Sequence, residues 1–290
     1  MAMDYSEHRF RAQDGLELFY RDYGDRQSGG VPVLCLAGLT RNTADFHDLA
    51  LHLAPHRRVV AFDLRGRGQS AHDPNPANYA PPTYMSDIGH LLTVTGCDKV
   101  IVIGTSLGGL LAMALGAVRA TALAGVIIND IGPEIDPRGV ERISGYAGKT
   151  PDAMTLDQAA EHMRGLFGQA FPDFETEQWR EEARRGMRER EDGLLVQDYD
   201  PAVAQNATEQ DGDPVDFWPY FNSLAQIPVL AIRGELSDIL SVETFAAMAA
   251  AKPDLVQVTC PNRGHAPNLS EPVCLAAIEA FLEAHGNAGH

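Results

Sequence analysis

The sequence has few cysteines, few lysines and no long apolar run. Its 290 residues contain four scattered cysteines, which predict buried, reduced thiols and a cytoplasmic protein rather than disulfides or a metal cluster. No segment approaches the roughly eighteen consecutive apolar residues that cross a membrane. The N-terminal stretch lacks the apolar core of a secretory signal, so export is not expected. The cysteines are Cys35, Cys97, Cys260 and Cys274.

Negative charge outweighs positive charge, with 40 acidic residues against 23 lysines and arginines. The formal net charge is -17, and the lysines are only Lys99, Lys149 and Lys252. Such an acidic chain repels the phosphate backbone of nucleic acids and anionic lipid head groups. We therefore expect neither nucleic acid nor a membrane as partner. The composition leaves the oligomeric state open between monomer and homodimer.

Short, nearly continuous apolar runs alternate with segments of helical spacing. Runs of this kind suit strands that are buried on both faces of a parallel sheet. Their alternation with helices predicts a doubly wound α/β fold with right-handed crossovers. The predicted strands lie near 15–24, 31–38, 57–66, 98–104, 123–130, 227–234 and 254–260, and the predicted helices near 42–56, 84–95, 107–118, 242–251 and 272–284.

One interval, residues 133–224, contains no convincing buried strand. Its segments 157–171 and 174–192 read as helices, and the pair of Glu181 and Arg185 suits a solvated helix face. A helical insertion of this length between two sheet strands predicts a subdomain, most simply a cap over the sheet. The predicted domains are a core of residues 1–132 and 225–290 and a helical cap of residues 133–224.

The pattern G-x-S-x-G spans Gly104 to Gly108 and has Ser106 at its centre. It stands where a buried strand meets an Ala- and Leu-rich helix. A sharp strand-to-helix turn strains the central residue and crowds its neighbours, so small residues flank the serine. We expect Ser106 to be a nucleophile above the carboxyl edge of the sheet, with the backbone N–H of Leu107 facing the group that Ser106 attacks.

A serine nucleophile needs a base, and the base needs an orienting carboxylate. Among ten histidines, His265 alone occupies a loop of turn-forming residues directly after the last predicted strand. We expect His265 to be the base. The preferred acid is Asp238, on the loop after strand 227–234, and Asp130, at the end of strand 123–130, remains the alternative.

The tetrahedral intermediate of acyl transfer also needs two preorganised donors for its oxyanion. Leu107 N–H is one candidate. The other is Leu39 N–H, because Gly38 lets the backbone turn after the strand 31–38. These groups complete a site that needs no metal and no organic cofactor.

With these motifs together, the sequence resembles the α/β-hydrolase fold superfamily, and within it the capped, serine-nucleophile branch of esterases and lactonases. The resemblance rests on "LCLAGLTRN", "VVAFDLRGRGQS", "GTSLGG", "IRGELSDIL" and "RGHAPN". It implies a mostly parallel eight-stranded sheet with a helical cap after the sixth strand. Most members have His-Gly in the oxyanion loop, whereas this chain has Ala37-Gly38, so the usual hydrogen bonds of that histidine must be replaced.

Within that superfamily, a serine nucleophile implies acyl transfer. We therefore expect hydrolysis of small to medium, uncharged or weakly polar carboxylic esters or lactones through an acyl-enzyme. Carbon–carbon hydrolases of ring-cleavage pathways and perhydrolases share this machinery and remain alternatives. A ligand receptor on the same fold is the alternative outside enzymology.

The predicted cap supplies bulky apolar groups for an enclosed pocket, which would exclude long lipids and polymers. Each aromatic there suits packing between cap and sheet at least as well. Arg41, just past the oxyanion loop, could meet a polar group of the substrate or lie at the surface. The candidate substrate-binding residues are Gly38, Arg41, Phe167 and Trp218.

Overall fold

The computed structural model describes residues 5–204 and 215–287. Eight strands form one sheet, and two short strands form a separate hairpin. The strands of the sheet are β1 (Tyr5–Arg11), β2 (Glu17–Tyr23), β3 (Val33–Leu36), β4 (Val59–Asp63), β5 (Val100–Thr105), β6 (Leu123–Asn129), β9 (Val229–Gly234) and β10 (Val256–Cys260), and those of the hairpin are β7 (Met187–Glu189) and β8 (Leu195–Gln197).

The order of strands in the sheet is β1-β2-β4-β3-β5-β6-β9-β10. Strand β2 runs antiparallel to β1 and β4, and every other neighbouring pair is parallel. The prediction of a doubly wound, mostly parallel eight-stranded α/β sheet is therefore confirmed. Strand β5 lies near the middle, so the residues that follow it meet loops from β3 on one side and from β6 on the other.

Helices cover both faces of the sheet, because each central strand is apolar on both sides. In β3, for example, Leu34 joins the core on one face and Cys35 joins the core on the other. The helices are α1 (His47–Leu53), α2 (Pro81–Thr95), α3 (Leu107–Arg119), α4 (Pro137–Tyr146), α5 (Leu156–Phe167), α6 (Thr176–Gly186), α7 (Trp218–Asn222), α8 (Val242–Ala251) and α9 (Pro272–His285). Apolar residues of α2, α3 and α8 bury one face, and those of α1 and α9 bury the other.

The chain between β6 and β9 holds helices α4 to α7 and the hairpin of β7 and β8. Helices α5 and α6 pack on each other around their own apolar cluster, which includes Met163, Phe171 and Trp179. The helix predicted over 174–192 ends at Gly186, and the sequence reading of its remainder as helix was wrong. Arg185 pairs with Asp48 of α1 rather than with Glu181. Residues 205–214 of the predicted cap lie outside the described residues.

The sequence analysis missed strand β1. Its residues are mostly exposed or half-buried, so the strand lacks the apolar run by which the central strands were recognised. It pairs in antiparallel register with β2 at the edge of the sheet. None of the described helices has the length and apolar character needed to cross a membrane.

Candidate active site

The turn between β5 and α3 places Ser106 above the carboxyl edge of the sheet. Ser106 has φ 52° and ψ -117°, a conformation that L residues rarely adopt. A side chain at Gly104 would put its Cβ 2.3 Å from the carbonyl oxygen of Gly108, and one at Gly108 would lie 2.0 Å from that of Leu36. Both positions therefore require glycine, and they let helix α3 start directly against β3 and β5.

His265 bridges the serine to a carboxylate. Its Nε2 lies 3.0 Å from Ser106 Oγ, and its Nδ1 lies 2.8 Å from Asp130 Oδ2. The loop after β10 delivers the histidine, and the residue that follows β6 is the aspartate. The three side chains thus come from three separate strand ends, and they form the serine–histidine–carboxylate geometry of acyl transfer.

Asp130 is fully buried and its carboxylate is well supplied with donors. The amide of Gly234 donates to Oδ1 at 2.7 Å, and the hydroxyl of Ser237 donates to Oδ2 at the same distance. The Asp130 backbone has φ 53°, which turns the chain sharply at the end of β6. These donors fix the carboxylate, so the bond to Nδ1 holds the His265 ring with Nε2 toward the serine.

The sequence analysis preferred Asp238 as the acid, but in the structure the carboxylate bonded to His265 is that of Asp130. Arg142 of α4 binds the Asp238 carboxylate in a bidentate pair, with Nη2 donating to Oδ1 at 2.8 Å. The turn after β9 causes this, because Ser237 points inward to Asp130 and the next side chain faces α4. Burial raises the pKa of Asp238, but the hydrogen bonds and charge of Arg142 outweigh burial and leave it below its usual value.

The loop after β3 approaches the serine closely. A Cβ on Gly38 would lie 3.6 Å from Ser106 Cβ. The Gly38 carbonyl accepts a hydrogen bond from Arg41 N at 3.2 Å, so the Leu39 N–H of the same trans peptide points the opposite way. Among the described residues, neither the Leu39 N–H nor the Leu107 N–H has a hydrogen-bond acceptor. Both predicted oxyanion donors are therefore available.

A buried arginine supports this loop, and the sequence analysis did not identify it. Arg67 donates from Nε to the Leu39 carbonyl at 2.8 Å, and from Nη1 to the hydroxyl of Tyr84 at 2.8 Å. Its side chain is fully buried. Arg67 and the Arg41 amide thus hold the loop that follows Ala37. The signal in the sequence that could have identified Arg67 is the pair of arginines directly after β4, in "DLRGRG".

Ser106 and His265 open onto a cleft of about 880 Å³, including its solvent-open mouth. Side chains of the β6–β9 interval, most of them apolar, form part of its lining. The predicted Phe167 and Gly38 are among the lining residues, whereas Trp218 is not, because its indole N–H donates to Glu134 and its ring packs on Phe221. The lining from this interval is Ile143, Tyr146, Phe167, Phe171, Trp179, Glu182 and Arg185.

Arg41 also lines the cleft, but its charge is already matched. Its guanidinium donates to Asp45 Oδ2 at 2.8 Å and to Glu182 Oε2 at 3.1 Å. Burial alone would lower the pKa of Arg41, but these two carboxylates raise it above the ordinary value. Arg41 therefore links the oxyanion loop to α6 as a structural element of the cleft.

All four cysteines are buried and free, and two of them belong to the one group of described residues that could coordinate a metal. The ligand atoms of Cys260, Glu271 and Cys274 lie within 4.8 Å of one another. Glu271 Oε1 already accepts hydrogen bonds from Arg263 and from the Asn268 amide. A hydrogen bond with Cys260 and burial both raise the pKa of the Cys274 thiol, so it stays protonated at neutral pH.

Comparison with known proteins places the chain in a family. The profile of the Alpha/beta hydrolase family matches residues 33–277, an interval that contains Ser106, Asp130 and His265. Most of the core and all of the β6–β9 interval lie within the match. The chain therefore belongs to the alpha/beta hydrolase family.

Relatives with assigned activities cover nearly the whole chain. A 3-hydroxybutyrate-oligomer hydrolase from Cupriavidus necator is 32% identical over 277 residues, which are 91% of this chain and 92% of that protein. A 2-(acetamidomethylene)succinate hydrolase from Mesorhizobium japonicum is 27% identical over 261 residues, covering 89% and 91%. Among solved structures, an alpha/beta hydrolase from Novosphingobium aromaticivorans superposes with a TM-score of 0.91 at 42% identity, covering 98% and 99%.

Proposed function

We propose that the protein is a serine hydrolase that cleaves small to medium carboxylic esters or lactones through an acyl-enzyme on Ser106. The observation that carries the proposal is the hydrogen-bonded arrangement of Ser106, His265 and Asp130 at the base of a cleft. The hydrolase names of the relatives agree with it.

In this proposal His265 Nε2 takes the proton of Ser106 as Oγ attacks the ester carbonyl carbon. The Leu39 and Leu107 amides donate to the oxyanion that forms, and Asp130 stabilises the charged imidazole. His265 then gives the proton to the departing alcohol oxygen, which leaves an acyl ester on Ser106. Water attacks this ester while the same nitrogen takes one of its protons; the bond from the acyl carbon to Ser106 Oγ then breaks, His265 returns the proton to Oγ, and the carboxylic acid leaves. The nucleophile, the base, the orienting carboxylate and the oxyanion donors in these steps all belong to the chain, and the ester and water are the substrates.

We further propose that residues 133–224 act as a cap that limits the length of the substrate. The support is that side chains of α4, α5 and α6 line the same cleft as Ser106 and His265. One relative is named for 3-hydroxybutyrate oligomers, whose units are short hydroxy acids joined by esters, and substrates of that size suit a cleft partly covered by a cap. We expect a small-molecule substrate, a cytoplasmic location and no nucleic-acid or membrane partner.

The direct test is labelling with a fluorophosphonate. The reagent should add to Ser106, and Ser106→Ala should lose both the label and at least ~10³-fold in turnover of aryl esters. Ser223→Ala is a matched control, because this serine is not among the residues that line the cleft and its hydroxyl donates to the Tyr220 carbonyl. Unchanged turnover in Ser106→Ala would refute the proposal, and retained ligand binding without any turnover would favour a receptor.

A substrate panel defines the chemistry further. Aryl esters from acetyl to palmitoyl, lactones and a ring-cleavage dienoate should be compared under one set of conditions. We expect a maximum at short acyl chains. Turnover of the dienoate alone would identify a carbon–carbon hydrolase, and peracid formation from acetate and peroxide as the dominant activity would identify a perhydrolase. Either result would contradict the ester proposal.

A further inference from the structure

The loop that carries His265 is joined to the sheet by one buried side chain. The carbonyl of Pro267, two residues after the histidine, accepts a hydrogen bond from Nδ2 of Asn129 at 2.8 Å. Within the part of the chain that the structure describes, this is the only hydrogen bond that joins residues 266–270 to a strand of the sheet. The position of the loop after His265 therefore depends on Asn129.

Asn129 is the last residue of β6, and it also contacts the turn that carries the nucleophile. Its carbonyl accepts a hydrogen bond from the backbone N–H of Ser106 at 3.1 Å, and its Nδ2 donates to Thr105 Oγ1, also at 3.1 Å. The next residue along the chain is Asp130, the carboxylate bonded to His265. One residue thus adjoins the nucleophile, the acid and the loop of the base.

The direction of the Asn129 amide follows from its neighbours. The carbonyl of Pro267 can only accept, so the amide nitrogen must face it, and the two hydrogens of that nitrogen match the two acceptors. Oδ1, on the other side, is buried and has no hydrogen-bond partner among the described residues. A buried acceptor without a partner destabilises a fold. Stability alone therefore gives no reason for an amide here rather than an apolar side chain of the same shape.

Asn129 does not reach the substrate. Its side chain is fully buried, and it is not among the residues that line the cleft of Ser106, whereas Thr105 and Pro267 are. Any influence of Asn129 on the reaction must therefore pass through the segments that it holds.

We propose that Asn129 is a positioning residue, which aligns the loop of His265 with the turn of Ser106. This proposal rests on the proposed ester hydrolysis. The imidazole must keep Nε2 at 3.0 Å from Ser106 Oγ and Nδ1 at 2.8 Å from Asp130 Oδ2 at the same time. Because Ser106 and Asp130 directly follow neighbouring strands, a displacement of the histidine loop is what would break both contacts. A misplacement of about 1 Å can cost on the order of 10²-fold in rate.

The test replaces Asn129 by leucine, whose side chain has the same branching and the same number of heavy atoms but cannot donate. Asn129→Leu should reduce kcat for an aryl ester by about 10²-fold. KM should stay within about three-fold, because acylation and deacylation both need His265 and slow together. Asn129→Ala removes the donor without adding bulk, so it should give the same result and serves if leucine prevents folding.

A loss of positioning must be separated from a loss of stability. Asn78→Ala is the matched control, because it also removes an amide nitrogen with two acceptors, Oδ1 and Oδ2 of Asp73 at 3.1 Å and 3.0 Å. Asn78 is not among the residues that line the cleft, so this variant should retain kcat within about three-fold. Circular dichroism at the assay temperature gives the folded fraction to which each kcat refers.

Failure of this proposal can be told apart from failure of the proposed function. If the wild type is labelled at Ser106 and cleaves esters, ester hydrolysis stands whatever the variants do. A kcat within about three-fold of wild type in folded Asn129→Leu or folded Asn129→Ala would overturn the positioning role. A raised KM with unchanged kcat would also overturn it, because Asn129 would then act on substrate binding. An equal loss of kcat in Asn78→Ala would overturn it as well, because the loss would then be a general effect of stability.

Discussion

Asp130 shows how neighbouring donors select which carboxylate serves a histidine. It follows β6, which lies between β5 and β9, so its side chain reaches the serine's loop and the turn after β9 at once. Three donors converge on it, from Gly234, Ser237 and His265. Asp238 has the right distance from its strand end, but Arg142 holds it. Spacing along the chain favoured Asp238. The two aspartates are told apart only by the direction of their side chains, since Asp130 faces His265 and Asp238 faces Arg142.

The first prediction concerns these two aspartates. Asp130→Asn should reduce kcat by at least ~10³-fold, because an amide cannot accept from all three donors and no longer fixes the imidazole tautomer. Asp238→Asn keeps the shape of the side chain and should retain kcat within about three-fold, since Asp238 is hydrogen-bonded by Arg142 and not by Ser106 or His265. Steady-state kinetics on an aryl ester measures both. Severe loss in Asp238→Asn with a nearly normal Asp130→Asn would show that another carboxylate arrangement operates.

At the scale of elements, the turn between β5 and α3 was predictable because its requirements are local. G-x-S-x-G between an apolar run and an Ala-rich helix locates the strand end, the turn and the helix start. The start of the short helical turn after Asn42 is also locally determined, because the Asn42 side chain accepts a hydrogen bond from the Ala44 amide. The hairpin of β7 and β8 was not predictable in this way. Its first strand, Met187–Glu189, continues a charged helical sequence, and tertiary pairing decides its conformation.

The second prediction tests the close packing of that turn. Gly108→Ala would place a methyl group 2.0 Å from the Leu36 carbonyl oxygen, where only backbone can move. The free energy of unfolding should fall by about 3 kcal/mol or more, with loss of activity. Denaturant unfolding followed by circular dichroism gives this value.

Gly165→Ala is its matched control. Gly165 lies within α5, and no atom lies within 4 Å of the Cβ position. Alanine should stabilise the protein by about 0.5–1 kcal/mol, because glycine is the poorer helix former. Equal effects of the two substitutions would contradict the account of the turn as sterically closed to any side chain.

At the scale of the whole molecule, the parallel sheet and its order of layers follow from sequence because buried strands need apolar residues on both faces. The contacts between the β6–β9 interval and the core do not, since they are made by scattered polar groups. Asn42 donates to Asp198 at 2.8 Å, and Asp198 belongs to the chain just after β8. The same Asn42 nitrogen also donates to the Arg185 carbonyl of α6 at 3.0 Å. These residues are far apart in the chain and carry no shared motif.

The third prediction uses the buried carboxylate of Asp198. Burial, partly opposed by the charge of Arg188, raises the pKa of Asp198 from 3.8 to about 6. The folded state therefore holds a proton that the unfolded state releases. This contribution to stability is complete at low pH and is lost as pH rises from about 4 to about 6, at a slope approaching 1.4 kcal/mol per pH unit.

Asp198→Asn removes this loss and also removes a charge that raises the pKa of Asp63. The asparagine oxygen can still accept from Asn42. The unfolding free energy of the variant minus that of wild type should increase by roughly 1–3 kcal/mol from about pH 4.5 to about pH 7.5. Asp192→Asn is the matched control, because it removes a carboxylate from the exposed turn of the same hairpin. Denaturant titrations at both pH values measure this difference. If the unfolding free energies of wild type and Asp198→Asn change equally between the two pH values, Asp198 ionises in the folded protein as it does in water.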